Sequence, residues 1–353
     1  VWDCYNDMGW TGPDGDRTPS LLLMDMVDKN GEVIHNAFYS GRNAGFQEFA
    51  FNRDEADGEC LDIIGHEFTH CVTSTLMTSN TYVNDSGSIN ESMSDILGNL
   101  IEMEVAYDQD GAWLIGENAG IPLRSMKDPH TRHQPEYAWD AYYGPAVSEG
   151  TDANDNGGVH INSSLLNLIS YKLSQAGMSN EDQIYYWMNV ALAMTPSTDY
   201  SQLAELLPWC MEQAGFAEYV DAVRRAVDES QMTVVVAPEA PKEGTGQVRL
   251  KLPESEAYER TKVRLNLTPV GGDIENDSFM AWVGVDTDVI TATVLPGEYS
   301  MSVVYWQDEG VADFYVLTED GWVMPDDAES AGFKVFTVAS EEVVELPSDG
   351  LFE

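Results

Sequence analysis

Between residues 61 and 229 apolar residues recur at helical spacing, and beyond Gln247 they alternate every second residue. The two periods need different backbones, so the chain is constrained to build a helical unit first and a β-sheet unit after it. The helical pattern runs through 61–76, 88–106, 163–176, 182–194, 200–214 and 217–229, several segments opening on Ser, Asn or Asp. Alternation is carried by Val248, Leu250 and Leu252, by Val263, Leu265 and Leu267, by Ile290, Ala292 and Val294, and by Tyr299, Met301, Val303 and Tyr305. Such short runs with turns between them predict a separate antiparallel β-sandwich of roughly 100 residues. Residues 237–246, rich in Pro, Glu and Gly, read as a linker. The segment before residue 60 is irregular and strand-rich, with apolar stretches at 21–27 and 33–39. The expected organisation is multidomain α+β: a β-rich lobe at 1–60, a helical lobe at 61–231, a linker at 232–246 and an all-β sandwich at 247–353. One long stretch, 108–159, has no regular pattern, and loops of that length in compact proteins are usually functional.

Sixty-one Asp and Glu stand against 17 Lys and Arg, a formal charge of −44, which argues against a nucleic-acid partner. With 43% apolar and 10% aromatic residues in 353, the chain is no disordered acidic tail. The charge favours a solvated extracellular surface, with adaptation to high salt as the alternative that charge alone does not separate. No run approaches the roughly 18 apolar residues of a membrane span, and the chain opens at Val1 without a signal-like segment. A secreted or cell-surface protein whose targeting and pro-segments are absent from this chain is expected. Cys4, Cys60, Cys71 and Cys210 permit three full pairings and select none. Cys60 and Cys71 fall along one predicted helix, about 16 Å apart, too far to bridge.

The chemistry centres on Gly65-His66-Glu67-Phe68-Thr69-His70, an HExxH motif inside an apolar-periodic helix. Helical positions four apart lie about 40° apart around the axis, so His66 and His70 can share one ion. Glu67 sits beside them, within reach of a metal-bound water. Glu91 follows His70 by 21 residues in the next predicted helix and supplies the carboxylate of a two-His, one-Glu zinc site. Asp95, one turn further on the same face, is spaced to hold a ligating imidazole by its other nitrogen.

The stretch GHEFTHCVTSTLMTSNTYVNDSGSINESMSDILGNLIE resembles the active-site region of the thermolysin-like neutral metallopeptidases. The resemblance continues through WLIGE, LRSMKDP, DNGGVHINS and AMTPSTDYSQ, in order, over about residues 30–231. It implies that His66, His70 and Glu91 bind one catalytic zinc and that Glu67 is the general base. It also implies that Tyr82 and His160 hydrogen-bond the tetrahedral oxyanion and that Asp155 orients His160. Arg124 matches the arginine that grips a substrate carbonyl, and Asn36 and Ala37, in HNAFYSG, match an edge-strand element that holds the substrate backbone. Ile63, Ile115 and Leu123 match positions lining the apolar specificity pocket. Asp62, Glu102 and Glu117 match three acids of a calcium site, while two further acids of the double site correspond to Ala112 and Leu114, so one calcium is expected.

The chain departs from the family in three places. The interval from His70 to Tyr82 is one residue longer, Glu59 and Cys60 replace a Gly-Gly before the catalytic helix, and fewer residues precede HNAFYSG, so the chain is expected to be a processed or partial form or to have a reduced N-terminal β-rich lobe. The function implied is a secreted zinc endopeptidase, cleaving peptides or proteins on the amino side of bulky hydrophobic residues. The rivals are a zinc aminopeptidase of the same ligand plan and a catalytically silent peptide binder. An aminopeptidase commonly carries a GxMEN element, absent here, and a silent relative would have lost a ligand or the base, all of which remain. The sandwich is expected to be separable after about Met232, and its role to be attachment to a surface, a glycan or a protein.

Overall fold

The computed structural model describes residues 1–52, 57–77, 81–106, 112–120, 122–273, 277–307, 312–325 and 332–352. The elements begin with α1 (Trp2–Asp7), β1 (Ser20–Met24), β2 (Phe38–Asn43), β3 (Phe46–Phe51), α2 (Leu61–Leu76) and α3 (Asn84–Val105). Next come β4 (Leu114–Ile115), β5 (Arg124–Ser125), α4 (Asp155–Asn162), α5 (Ser164–Gln175), α6 (Asn180–Ala193), α7 (Tyr200–Gln213) and α8 (Val220–Ser230). The strands β6 (Gly246–Lys251), β7 (Val263–Pro269), β8 (Phe279–Trp282), β9 (Val289–Val294) and β10 (Gly297–Trp306) follow. The last are β11 (Ala312–Thr318), β12 (Gly321–Val323), β13 (Phe336–Val338) and β14 (Val343–Leu346). Two compact units divide the chain: Val1–Tyr82, Ser86–Arg132 and Ser163–Thr233 form one, and Val83–Asp85, His133–Asn162 and Val234–Glu353 the other. Among the described residues no helix is long and apolar enough to cross a membrane.

In the first unit β3 is the centre of a three-stranded sheet, parallel to β1 and antiparallel to β2. The sheet packs on α2 through Phe49, whose ring stacks on Phe68 at 6.1 Å. The short α1, which has too few residues to show a period, is fixed by buried Tyr5. That ring lies 5.0 Å from Phe68, and its hydroxyl is 2.6 Å from Thr69 Oγ1. Burial, only partly offset by the bond to Thr69, pushes the Tyr5 phenol well above its ordinary value. The helices α5 to α8 bury large side chains such as Trp187, Tyr186 and Tyr200, and side-chain caps at Ser179 and Asp199 start α6 and α7.

The crossing of α2 and α3 organises the chemistry. On α3 Glu91, Asp95, Gly98 and Glu102 form one stripe at helical spacing, and on α2 Asp62, Gly65, His66 and Thr69 form another. The stripes meet at two glycines: a Cβ on Gly65 would stand 2.7 Å from Gly98 Cα, and one on Gly98 would stand 2.5 Å from Asp62 O and 2.9 Å from His66 N. The backbones therefore touch, with one acidic cluster at one end of the contact and the histidines at the other. Gly98→Ala is expected to push the helices apart, destabilising the chain by about 1–3 kcal/mol and weakening zinc binding, because the ligands are split between the two helices. Thermal unfolding and chelator competition check this, and an unchanged midpoint with unchanged affinity would refute the close contact.

The second unit contains two sheets. One has the order β12-β11-β10-β7-β8 with β13 also on β10, all antiparallel, and the other has the order β14-β6-β9. Their shared core is built from the alternating residues expected from the sequence, among them Val248, Leu250, Leu265, Leu267, Ile290, Val294, Met301 and Val303. Two features differ from expectation. The strand β14 runs parallel to β6, so the sandwich is not wholly antiparallel. Nor is the unit confined to residues after 246, because 133–162 belongs to it. Tyr142 stacks on Phe279 with centroids 4.0 Å apart, Ala141 and Tyr142 join the core, and Tyr142 N donates to Thr293 O at 3.3 Å. The physical reason is that this aromatic stretch has no period of its own with which to bury Tyr142, so it uses the open edge of the sandwich. Residues 108–111 and 121 of the long irregular stretch lie outside the described residues.

Candidate active site

All of the metal-site residues lie in the first unit. His66 and His70 project from one face of α2, their rings edge-on with centroids 4.6 Å apart and Nε2 atoms 2.9 Å apart. From α3, Glu91 brings one carboxylate oxygen to 3.4 Å from His66 Nε2 and the other to 3.3 Å from His70 Nε2. A tetrahedral zinc with bonds of about 2.0–2.1 Å separates its ligand atoms by about 3.3–3.4 Å. Each imidazole has a different Glu91 oxygen near that separation, and one donor atom from each of the three side chains lies within 4.8 Å of the others, close enough to share one ion.

The other ring nitrogens are also held. His66 Nδ1 lies 2.8 Å from Asp95 Oδ1, and His70 Nδ1 lies 3.2 Å from Asn90 Oδ1 and 3.1 Å from Ser94 Oγ. Acceptors at Nδ1 leave each Nε2 to the metal. Asn90 Oδ1 is itself fixed by the Thr73 hydroxyl at 2.6 Å. Tyr82 donates its hydroxyl to Glu91 Oε1 and is partly exposed. Glu67 is only 5% exposed, yet its Oε2 accepts no hydrogen bond among the described residues. A buried carboxylate oxygen without a donor calls for a partner such as a metal-bound water. Donor set, spacing and this oxygen all fit zinc.

Asp95 is the electrostatic hub. Arg124, on β5, donates from Nε to Oδ2 at 2.7 Å and from Nη2 to Oδ1 at 2.6 Å, and Asn167 on α5 donates to Oδ2 at 2.8 Å. Burial alone would raise the Asp95 carboxyl, but Arg124 and His66 hold it down at about 2. For His66, burial disfavours the cation and the carboxylates of Asp95 and Glu91 outweigh it, pushing the imidazole up to about 10. Burial opposes the Arg124 cation too, and Asp95 overcomes it, raising that group further above its ordinary value. The structure thus places on Asp95 the guanidinium that the resemblance assigns to a substrate carbonyl.

Asp62, Glu102 and Glu117 bring carboxylate oxygens within 4.8 Å of one another. Asp62 accepts from Gly116 N at 2.5 Å and Ile63 N at 2.7 Å, but burial prevails and raises its carboxyl. Asn118 Nδ2 approaches Glu102 Oε1 at 3.4 Å and Glu117 Oε1 at 3.3 Å. Ile63 and Leu123 flank Gly116, and Leu123 N donates to Ile115 O at 2.7 Å. Of the three expected pocket residues Ile63 and Ile115 are buried, and Leu123, 57% exposed, is open to solvent. Asn36 and Ala37 immediately precede β2, an edge strand of its sheet.

His160 and Asp155 lie together in the second unit. Asp155 Oδ1 is 2.6 Å from His160 Nδ1, and its Oδ2 accepts from His160 N at 2.9 Å and Ile161 N at 3.2 Å. The imidazole is half-exposed. The carboxylate can reach backward to the ring because Asp155, Asn156, Gly157 and Gly158 all have positive φ, at the head of α4. Sequence reasoning missed Asn90, Ser94 and Asn167. The signal for Asn167 was present: an amide inside the apolar-periodic run Leu165 to Ile169 has to find a buried partner.

A family model of the thermolysin metallopeptidase alpha-helical domain matches residues 79–232. The bacillolysin of Bacillus caldolyticus and the thermolysin of Alicyclobacillus acidocaldarius subsp. acidocaldarius are each 33% identical over 196 residues, which cover 49% of this chain and 33% of either relative. The chain thus spans about a third of the length of these curated relatives. Among solved structures, the precursor of protealysin, a metalloproteinase from Serratia proteamaculans, is similar at a TM-score of 0.52 and 26% identity, covering 65% of this chain and 74% of that one. Over residues 79–232, then, the chain is similar in sequence to the alpha-helical domain of the thermolysin metallopeptidases, its fold is similar to that of a metalloproteinase precursor, and a β-rich region follows.

Proposed function

We propose that this chain is a zinc-dependent endopeptidase, acting outside the cell on peptides or proteins and cleaving on the amino side of bulky hydrophobic residues. The observation that carries the reading is the convergence of His66, His70 and Glu91, whose donor atoms lie within 4.8 Å of one another, beside the undonated Glu67 Oε2. Zinc held by these three supplies a polarised carbonyl and an acidified water. Glu67 accepts the water's proton at its carboxylate and returns it to the leaving nitrogen. Asp95 keeps the His66 ring oriented and is itself fixed by Arg124 and Asn167. Tyr82 holds the Glu91 carboxylate in place. For His160 we take the role that the resemblance implies, a donor to the developing oxyanion, which the imidazolium fills from Nε2–H while its Nδ1–H bonds Asp155. Asn36, Ala37 and Arg124 are proposed to hold the substrate backbone, and Ile63, Ile115 and Leu123 to favour an apolar side chain. One calcium ion is proposed between Asp62, Glu102 and Glu117, where three hard oxygen donors meet.

Digestion of a library of peptides blocked at both ends tests the reading. Internal cleavage before Leu, Ile, Phe or Val is expected; release of terminal residues from unblocked peptides alone would identify an aminopeptidase instead. Zinc affinity also carries a pH signature. Zinc displaces the Nε2 proton of an imidazole whose pKa is pushed up to about 10. Affinity is therefore expected to fall as pH is lowered from 9 to 7. An imidazole at its ordinary 6.5 would give a nearly flat profile there, and chelator competition at the two pH values separates these outcomes.

A further inference from the structure

The turn that presents His160 is conformationally expensive. Asp155, Asn156, Gly157 and Gly158 have φ of 49°, 51°, 82° and 78°, four consecutive residues in the left-handed region, two of them not glycine. Such a run persists only where its surroundings enforce it. Two side chains in the same unit flank it. Asn84 bonds both backbone groups of Val147, at 2.8 and 2.9 Å, and fills the space that a side chain on Gly157 would take. On the Gly158 side stands Trp282, the last residue of β8 in the C-terminal extension.

Trp282 is 1% exposed, and its Nε1 donates to Pro145 O at 2.8 Å. A Cβ on Gly144 would stand 2.5 and 2.7 Å from two atoms of its six-membered ring, and one on Gly158 would stand 3.3 Å from the same edge. Asn162, at the end of α4, closes the arrangement by accepting from Gly144 N at 3.0 Å and donating to Gly144 O at 2.7 Å. The indole edge thus lies between two glycines whose missing side chains admit it, and one of them belongs to the left-handed run itself.

We propose that Trp282 is a positioning residue for His160: the C-terminal β-sheet unit, through this indole, holds the turn at residues 155–158 and with it the imidazole. The inference rests on the oxyanion role proposed for His160. It gives the extension a part in turnover, which neither an attachment module nor a separable appendage would have. Residues 133–162 share a compact unit with the sandwich, as such a part requires.

A double-mutant cycle on the full-length, zinc-loaded chain tests it. Trp282→Ala is expected to lower kcat about 10- to 100-fold with KM changed less than about threefold, since a small misplacement of a reacting group has effects of that order. Trp282→Phe, whose smaller ring gives up the indole edge beside Gly144 and Gly158 as well as the bond to Pro145, is expected to recover little of the rate. In a His160→Ala background the Trp282→Ala substitution should change kcat less than about twofold, because its target is gone. Exchange of the His160 and Ile161 amides, both bonded to Asp155, should quicken in Trp282→Ala while that of the α2 amides does not. A wild-type kcat in Trp282→Ala, an equal loss in both backgrounds, or exchange raised equally in α2 would overturn the proposal. A wild-type rate in His160→Ala would overturn the role of His160 and the inference with it. That outcome is distinct from a slow His160→Ala beside a fast Trp282→Ala, which refutes the positioning alone.

Discussion

Glu67→Gln is expected to lower kcat by about two to four orders of magnitude, the range of a lost general base, while zinc remains bound. The amide matches the carboxylate in shape, so the helix and the three ligands are undisturbed, but it cannot take a proton from water at neutral pH. Its burial fits that role, because Oε2 is enclosed and has no donor among the described residues to occupy the lone pair that takes the proton. KM should change little, since Glu67 does not serve in ground-state binding here. Stoichiometric zinc with wild-type turnover in the variant would remove Glu67 from the chemistry.

Asp95→Ala is expected to damage both stability and metal affinity. The carboxylate is fully buried, and it serves His66, Arg124 and Asn167 at once. Its removal leaves the Arg124 guanidinium, 15% exposed, without its counter-charge, a loss of about 3–5 kcal/mol for a broken buried pair. Zinc affinity should fall about 10- to 100-fold because the His66 ring loses its acceptor. Asp95→Asn keeps an oxygen for the ring and should recover part of the affinity but little of the stability. The sign with pH follows from the depressed carboxyl: its contribution in the metal-free chain is complete above the ordinary 3.8 and is lost as pH falls through about 2. Denaturant unfolding in excess chelator and zinc competition measure the two effects separately. An Asp95→Ala variant with wild-type values in both would show that the hub has no energetic weight.

What the sequence made legible was what repeats locally. His66 and His70 at four-residue spacing, and Glu91 and Asp95 at the same spacing on the next helix, define two faces without knowledge of the fold. Likewise the alternation through Val248 to Leu252 and Leu265 to Leu267 named core residues correctly. Contacts between segments far apart in sequence were not legible. The pairing of Arg124 with Asp95 spans 29 residues, and that of Asn167 with Asp95 spans 72. The insertion of Trp282 against residues 144–158 spans more than 120 and is signalled by no period at all. That contact is why a boundary drawn from composition near Met232 divides a unit that the fold keeps together. The parallel placement of β14 beside β6 is equally invisible, because a strand's pattern fixes which face is buried and not which neighbour it joins. The short α1 is held by Tyr5 on Phe68 rather than by helical preference, so its six residues show no pattern.

The central claim is that His66, His70 and Glu91 together hold one zinc on which peptide cleavage depends. Its most direct test is to strip the full-length chain with chelator and add zinc back in fractions of an equivalent, following internal cleavage of a peptide blocked at both ends. Activity should be absent after stripping and rise linearly to a break at one zinc per chain, with His70→Ala and Glu91→Ala giving neither tight binding nor cleavage. Full cleavage by the stripped chain, or a zinc-saturated chain that leaves the peptide intact, would contradict it.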